Sequence, residues 1–320
     1  MSAPARTSRE RAPSHLPPPG ARTAFCGLEL SHPIVNGSGT FDAIAARRTF
    51  GDALLHEFPF AAFVSKTVTV APRQGNPPPR LWEQPGGMLN SIGLPNRGLR
   101  GFLEHDLPSL AALPVPLFVN VMGFTRDEVA TLVDAFAERE EVAALELNVS
   151  CPNVETGLVM GADPGEIAAL VARLRPLTGK PLIVKLTPNA TDPGAVAEAA
   201  EAAGADAVSL VNTLRGMALS PRTGEPWLGG GTGGLSGPAI RTVALAAVRD
   251  VARRVSIPVV GMGGVESGSD AEDLLRAGAT LVGVGTESFR DPAAGTRIAT
   301  ELAGLRGKES IGPRLTPAEE

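Results

Sequence analysis

The sequence has 320 residues and a net charge of -5, with a pI near 5.6, which excludes the basic footprint of a nucleic-acid-binding protein. Its two cysteines, Cys26 and Cys151, exclude a disulfide framework and are too few to ligate an iron–sulfur cluster or a cysteine-rich zinc site. It has no tyrosine to serve as acid or base, and no run of roughly 18 apolar residues to span a membrane.

Residues 1–22 are rich in Pro, Arg, Ser and Ala and lack the apolar segment of a signal peptide, so they are expected to be a disordered extension, and the expected compartment is a reducing cytoplasm. The first expected strand, 33–37, closes on Ser38 and Gly39, and a helical stretch follows at 43–55. The second strand, 61–69, carries Lys66 in its second half. A Pro- and Gly-rich excursion, 70–96, is too long for an ordinary strand-to-helix loop and contains Asn90-Ser91-Ile92-Gly93-Leu94. A helix at 99–112 leads to strand 117–122, which carries Asn120, and the helix at 126–139 has Asp127 and Glu128 in its first turn, where they suit the dipole. Strand 143–149 comes next. Asp163-Pro164 and Asp192-Pro193 each read as a cap followed by a first-turn proline, opening helices 163–174 and 192–203. Between those two helices lies strand 182–186 with Lys185. Strand 207–211 ends at Asn212 and Thr213 and leads into a second, Gly-rich excursion, 216–234. Helix 238–254, strand 258–262, helix 267–277 and strand 281–284 complete the alternation, and Asp291-Pro292 starts a last helix.

Eight apolar strands alternating with helices form the pattern of an α/β protein, a (β/α)8 TIM barrel over residues 23–308, with both excursions over its C-terminal face and a C-terminal tail at 309–320 whose last residues, 313–320, are expected to fray. A doubly wound sheet is the competing architecture. Barrel active sites lie at the C-terminal strand ends. There the sequence gathers Ser38, Lys66, Asn120, Asn148 with Cys151, Lys185, Asn212 with Thr213, Gly263 with Gly264, and Gly285 with Thr286. Any one of these could simply cap a turn, but two lysines in otherwise apolar strands are costly unless they are used. The glycines after the last two strands let backbone N–H groups approach a phosphate. The run 229–234 fits the G-x-G-x-x-G expression, but no strand precedes it and Asp250 falls within a helix. It is read instead as a flexible loop over the barrel, with Gly237 opening a helix beside a phosphate. Lys185 suits the electron-rich edge of a flavin-like ring, or else an internal ion pair with Glu146; Lys66 admits the same two readings. Cys26 reads as buried and inert. His15, His32, His56 and His105 all fall outside the strand ends, which disfavours histidine acid–base chemistry or a metal site and leaves any proton abstraction to Cys151.

The stretch 145–153 organises these features. It begins as a buried strand and then places Cys151 between two carboxamides, Asn148 and Asn153, with Pro152 stiffening the chain. A thiol of ordinary pKa about 8.5 needs only modest tuning to take a proton near neutrality. A polar heterocycle held by the amides while Cys151 abstracts a proton is the chemistry expected.

Residues 148–153 resemble the catalytic loop of class 1 dihydroorotate dehydrogenases. So do Gly75-Asn76-Pro77-Pro78-Pro79-Arg80, Gly86-Gly87-Met88-Leu89-Asn90-Ser91-Ile92-Gly93-Leu94, Val184-Lys185-Leu186-Thr187-Pro188-Asn189, Thr232 through Ile240, and Gly261-Met262-Gly263-Gly264-Val265. The resemblance covers roughly 25–305 and is strongest to class 1B. It implies FMN in the barrel mouth and oxidation of dihydroorotate to orotate in pyrimidine synthesis, Cys151 taking the C5 proton while hydride passes from C6 to flavin N5. It implies substrate contacts from Lys66, Asn90, Ser91, Ile92, Gly93, Leu94, Asn148, Asn153, Asn212 and Thr213. For FMN it implies Ser38, Lys66, Thr67, Asn120, Asn148, Lys185, Val211, Gly237, Gly263, Gly264, Gly285 and Thr286. It further implies a homodimer, or a heterotetramer with a separate FAD and iron–sulfur subunit that passes electrons to NAD. Two stretches depart from class 1B: Asp42-Ala43 stands where the family has a Gly-aromatic pair, and Leu94-Pro95-Asn96 is more similar to the fumarate-linked class 1A. Class 2 is disfavoured, since it uses a Ser base and an N-terminal membrane helix. The rivals to this reading are a dihydrouridine-synthase-type FMN barrel, which would want a basic RNA-binding face, and a non-catalytic phosphate-binding subunit, which would not need the thiol.

Overall fold

The computed structural model describes residues 22–149 and 161–309. In chain order the strands are β1 (Thr23–Phe25), β2 (Leu28–Leu30), β3 (Ile34–Asn36), β4 (Phe63–Val64), β5 (Leu81–Gln84), β6 (Gly87–Asn90), β7 (Leu117–Val121), β8 (Ala144–Asn148), β9 (Leu182–Lys185), β10 (Ala207–Leu210), β11 (Leu214–Gly216), β12 (Gly233–Ser236), β13 (Val259–Met262) and β14 (Leu281–Val284). The α-helices are α1 (Ala43–Phe50), α2 (Ala53–His56), α3 (Gly98–Gly101), α4 (Leu107–Leu110), α5 (Arg126–Ala137), α6 (Pro164–Leu174), α7 (Pro193–Ala202), α8 (Arg241–Arg254), α9 (Gly268–Ala277) and α10 (Ala294–Glu309).

Eight of these strands form one parallel sheet in the order β3-β14-β13-β10-β9-β8-β7-β4. The seam between β3 and β4 closes it into a barrel. One backbone bond crosses the seam, from Ala61 N to Ile34 O at 2.9 Å. The Asn36 carboxamide supplies the rest: its Nδ2 donates to Val64 O and its Oδ1 accepts from Val64 N, both at 2.8 Å. A side chain thus stands in for a ladder rung at the barrel's weakest join, a role that the reading of strand 33–37 did not foresee.

The alternation along each strand sorts side chains to two sides. Along β8, Leu145 and Leu147 pack outward among helix residues such as Leu132, Ile167 and Leu170. Ala144 faces the lumen with Phe118, Ile183, Ala207, Val260 and Leu281, and Phe25 and Leu30 of the β1–β2 hairpin join that cluster and plug the N-terminal end. The Phe25 ring stacks on Phe118 with centroids 5.9 Å apart. The caps at Asp163 and Asp192 form as expected, each side chain accepting an N–H three residues on; such a cap contributes about 1 kcal/mol.

Three expected elements differ. The helix at 43–55 is broken because Gly51, at φ 64, caps α1. The helix at 99–112 widens to a π turn over Phe102–Asp106, just before Pro108, which has no N–H to give Glu104. The strand at 61–69 is regular only over β4, so Lys66 stands beyond it and is exposed.

The largest departure concerns the two excursions. They pair with each other across the C-terminal mouth as an antiparallel sheet of order β11-β12-β6-β5. The Gly-rich segment read as a flexible loop ends in β12, the strand between β11 and β6. Its glycines serve close approach rather than freedom: a Cβ on Gly234 would collide with the Thr213 side chain, and one on Gly233 with the Asn90 carbonyl. Leu89, Ala218 and Leu228 form a small core beneath this sheet, and Trp82 meets Trp227 edge-on at 5.0 Å.

Candidate active site

Barrel and lid sheet enclose a cavity of about 360 Å³ at the C-terminal ends of the strands. One end is built from turns. Gly263 and Gly264 follow β13, Gly285 and Thr286 follow β14, and Gly237 follows β12; all line the cavity. Gly264 has φ 72, and a Cβ there would stand 2.7 Å from Arg241 Cβ and 3.0 Å from Gly237 O. The turn therefore needs glycine for both its conformation and its contacts, leaving a concavity lined by backbone. Thr286 Oγ1 donates to Ser236 Oγ at 2.8 Å. Arg241, packed behind Gly264, is paired with Asp270 and Asp273. What remains to meet an anion here is backbone N–H and hydroxyl, the means by which tight turns hold phosphate.

The floor is the top layer of the lumen. Asn148, Lys185 and Thr67 line the cavity and are buried, and Asn148 Nδ2 donates to Thr67 Oγ1 at 3.3 Å. Lys185 lines the cavity, and its Nζ lies 3.9 Å from Glu146 Oε2, the internal ion pair expected as one of its two readings. Glu146 Oε1 accepts from Ser209 Oγ at 2.7 Å and its Oε2 from Asn120 Nδ2 at 2.5 Å. Asn120 sits beneath the cavity wall rather than in it, and its buried Oδ1 has no hydrogen-bond partner among the described residues.

The other end carries Lys66, Asn90, Ile92, Gly93, Leu94, Asn212 and Thr213, all lining the cavity. Asn90 reaches it from the lid sheet, where its Nδ2 donates to Gly234 O at 3.3 Å. Ser38 and Val211 line it as expected. Ser91 does not: its side chain is buried and accepts from Asn76 Nδ2 at 2.9 Å, because successive residues of an extended segment point to opposite sides. Leu81, Met88 and Phe289 line the mouth unforeseen, Leu81 and Phe289 about half exposed. Cys151 and Asn153 lie outside the described residues.

Cys26 is no rival nucleophile. Burial, helped by the negative charge of Asp206, pushes its thiol up to about 12. No group of three His, Cys, Asp or Glu among the described residues could hold a metal ion, and no described helix is long and apolar enough to cross a membrane.

A closed parallel barrel whose polar side chains and glycine turns gather at the C-terminal mouth has the architecture of a barrel enzyme. Comparison with known sequences narrows the class. The family described as dihydroorotate dehydrogenase matches residues 21–305, and the chain belongs to that family. Its similar relatives include proteins named dihydroorotate dehydrogenase B (NAD(+)), catalytic subunit, from Trichlorobacter lovleyi (48% identical over 282 residues, 88% of this chain and 91% of the relative) and Pelobacter propionicus (47%, with the same coverage). A relative from Solibacter usitatus, 42% identical over 92% of this chain and 95% of its own, carries the provisional name dihydroorotate dehydrogenase A (fumarate).

Proposed function

We propose that this chain is an FMN-dependent oxidoreductase that converts dihydroorotate to orotate, the catalytic half of an assembly whose second subunit carries FAD and an iron–sulfur cluster and delivers electrons to NAD+. The observation that carries the proposal is the division of one cavity, in a member of this family, into a backbone-lined anion cradle and a ring of carboxamides with a buried lysine between them.

The residues fit the cofactor on two counts. Gly264 leaves no room for a Cβ, so backbone lines the cradle there, and Asn148 and Lys185 put buried polar groups on the cavity floor. Gly237, Gly263, Gly264, Gly285 and Thr286 would hold the phosphate, and Lys185 would stand against the ring. When bound, FMN supplies the two-electron acceptor. Asn90, Asn148, Asn153 and Asn212 would orient the substrate ring, because each amide offers both a donor and an acceptor. Cys151 would take the proton from C5, which is acidified by the neighbouring carbonyl. The lid sheet, with Leu89, Ala218 and Leu228 packed beneath it, would exclude water from that exchange.

The test is anaerobic. Purified protein should be yellow, release FMN on denaturation, and bleach on addition of dihydroorotate. Colourless protein that reduces no artificial acceptor with dihydroorotate would overturn the reading. Co-purification of an FAD and iron–sulfur protein, with NAD+ reduction depending on it, selects the NAD-linked assembly. Turnover by the lone chain with fumarate selects the alternative, which the Leu94-Pro95-Asn96 segment favours.

A further inference from the structure

Glu146 lies one layer below the cavity floor, in the middle of β8 and only 3% exposed. Below it the lumen is apolar: Phe118, Ala144, Ile183 and Ala207. A carboxylate so placed is costly unless it is compensated. Its compensation comes from Ser209 Oγ, Asn120 Nδ2 and the Lys185 ammonium. Two consequences follow from chemistry alone. A carboxylate only accepts, so the Asn120 amide must turn its Nδ2 toward Glu146 and leave its Oδ1 as the free acceptor. Lys185 has three donors, and at 3.9 Å it is held by charge rather than by a short hydrogen bond, so its Nζ keeps donors for a group lying in the cavity.

We propose that Glu146 is a positioning residue that sets, through Lys185, the charge beneath the ring bound in this cavity, and so tunes the relative affinity for its oxidised and reduced forms. The inference rests on the FMN reading above. Reduction adds negative charge to the ring. With Glu146 in place that charge meets a compensated ion pair; without it, the ring meets a lysine whose charge no other described residue on the lumen side balances. The side chains below Glu146 are apolar and offer no charge to screen the difference.

The experiment is a double-mutant cycle on the holoenzyme: wild type, Glu146→Gln, Lys185→Met and the double variant, each read by the reduction potential of the bound flavin. Flavin absorbance in the wild type tests the FMN reading separately. Glu146→Gln is expected to change the ratio of oxidised- to reduced-flavin affinity at least tenfold, about 30 mV for a two-electron couple, and to lose that effect in the Lys185→Met background. A Glu146→Gln variant that melts earlier with an unmoved potential, or shifts the potential equally with and without Lys185, overturns the proposal. If Glu146→Gln does not fold, Ser209→Ala removes only one oxygen from the carboxylate's shell. It should move the potential by a smaller amount, again only while Lys185 is present, and an equal shift in both backgrounds overturns the proposal.

Discussion

Gly264→Ala tests the anion cradle. The position combines φ 72 with a steric collision: a Cβ would stand 2.7 Å from Arg241 Cβ and 3.0 Å from Gly237 O. Left-handed backbone costs a residue with a Cβ about 1–2 kcal/mol, and crowding a packed turn costs about 1–3 kcal/mol more. A strain of about 2–5 kcal/mol is relieved by moving this turn away from Gly237, and in the proposed FMN site those two segments would hold the phosphate. The Kd for FMN is therefore expected to rise about 10–100-fold, a loss of about 1.4–2.8 kcal/mol. Titration of apoprotein with FMN and, in parallel, with riboflavin reads the effect. Riboflavin has the ring without the phosphate, so its affinity should change little. Equal weakening of both ligands, or unchanged FMN affinity, would refute the assignment of this turn to the phosphate.

Three further outcomes are expected. Asn36→Ala removes two buried bonds at the barrel seam and strands Val64 N and O, so unfolding in urea should show a loss of about 2–4 kcal/mol; a loss under about 1 kcal/mol would mean that the seam closes without it. Cys151→Ser should slow flavin reduction by dihydroorotate and move its optimum to higher pH, because a hydroxyl is the weaker base; an unchanged pH–rate profile would remove Cys151 from that role. Burial holds the His32 imidazole below its ordinary range, and its Nδ1 accepts from Ile34 N at 3.2 Å. The unfolded chain takes up a proton at about pH 6.5 that the folded chain refuses, so this contribution to stability is intact above that pH and is lost as pH falls below it. Urea midpoints followed from neutral to acid pH should fall less steeply for His32→Gln, and parallel slopes would exclude the residue.

What the sequence determined by itself is what local chemistry encodes. Alternation of apolar runs with capped helices dictated eight barrel strands, because Asp-Pro at 163–164 and 192–193 acts within one turn of its own helix. The glycines at 263–264 and 285 pointed to the end of the cavity that they line, because backbone approach is a property of the residue itself. Tertiary structure decided whatever depends on a distant partner. Asn90 and Gly234 are 144 positions apart, and only their pairing turned two apparent loops into one lid sheet. Ser91 sat in the right motif, but its register in the extended chain sent its side chain to Asn76 and away from the cavity. Asn36 closes the barrel only because β3 and β4 end up side by side. Period-two spacing puts Glu146 on the same face as Asn148, a signal present in the sequence, yet its part as the hub of Asn120, Lys185 and Ser209 exists only once β7, β8, β9 and β10 stand in register. Hydrogen bonds and ion pairs between strands depend on atoms brought within a few ångströms by folding, and no local pattern specifies which atoms those will be.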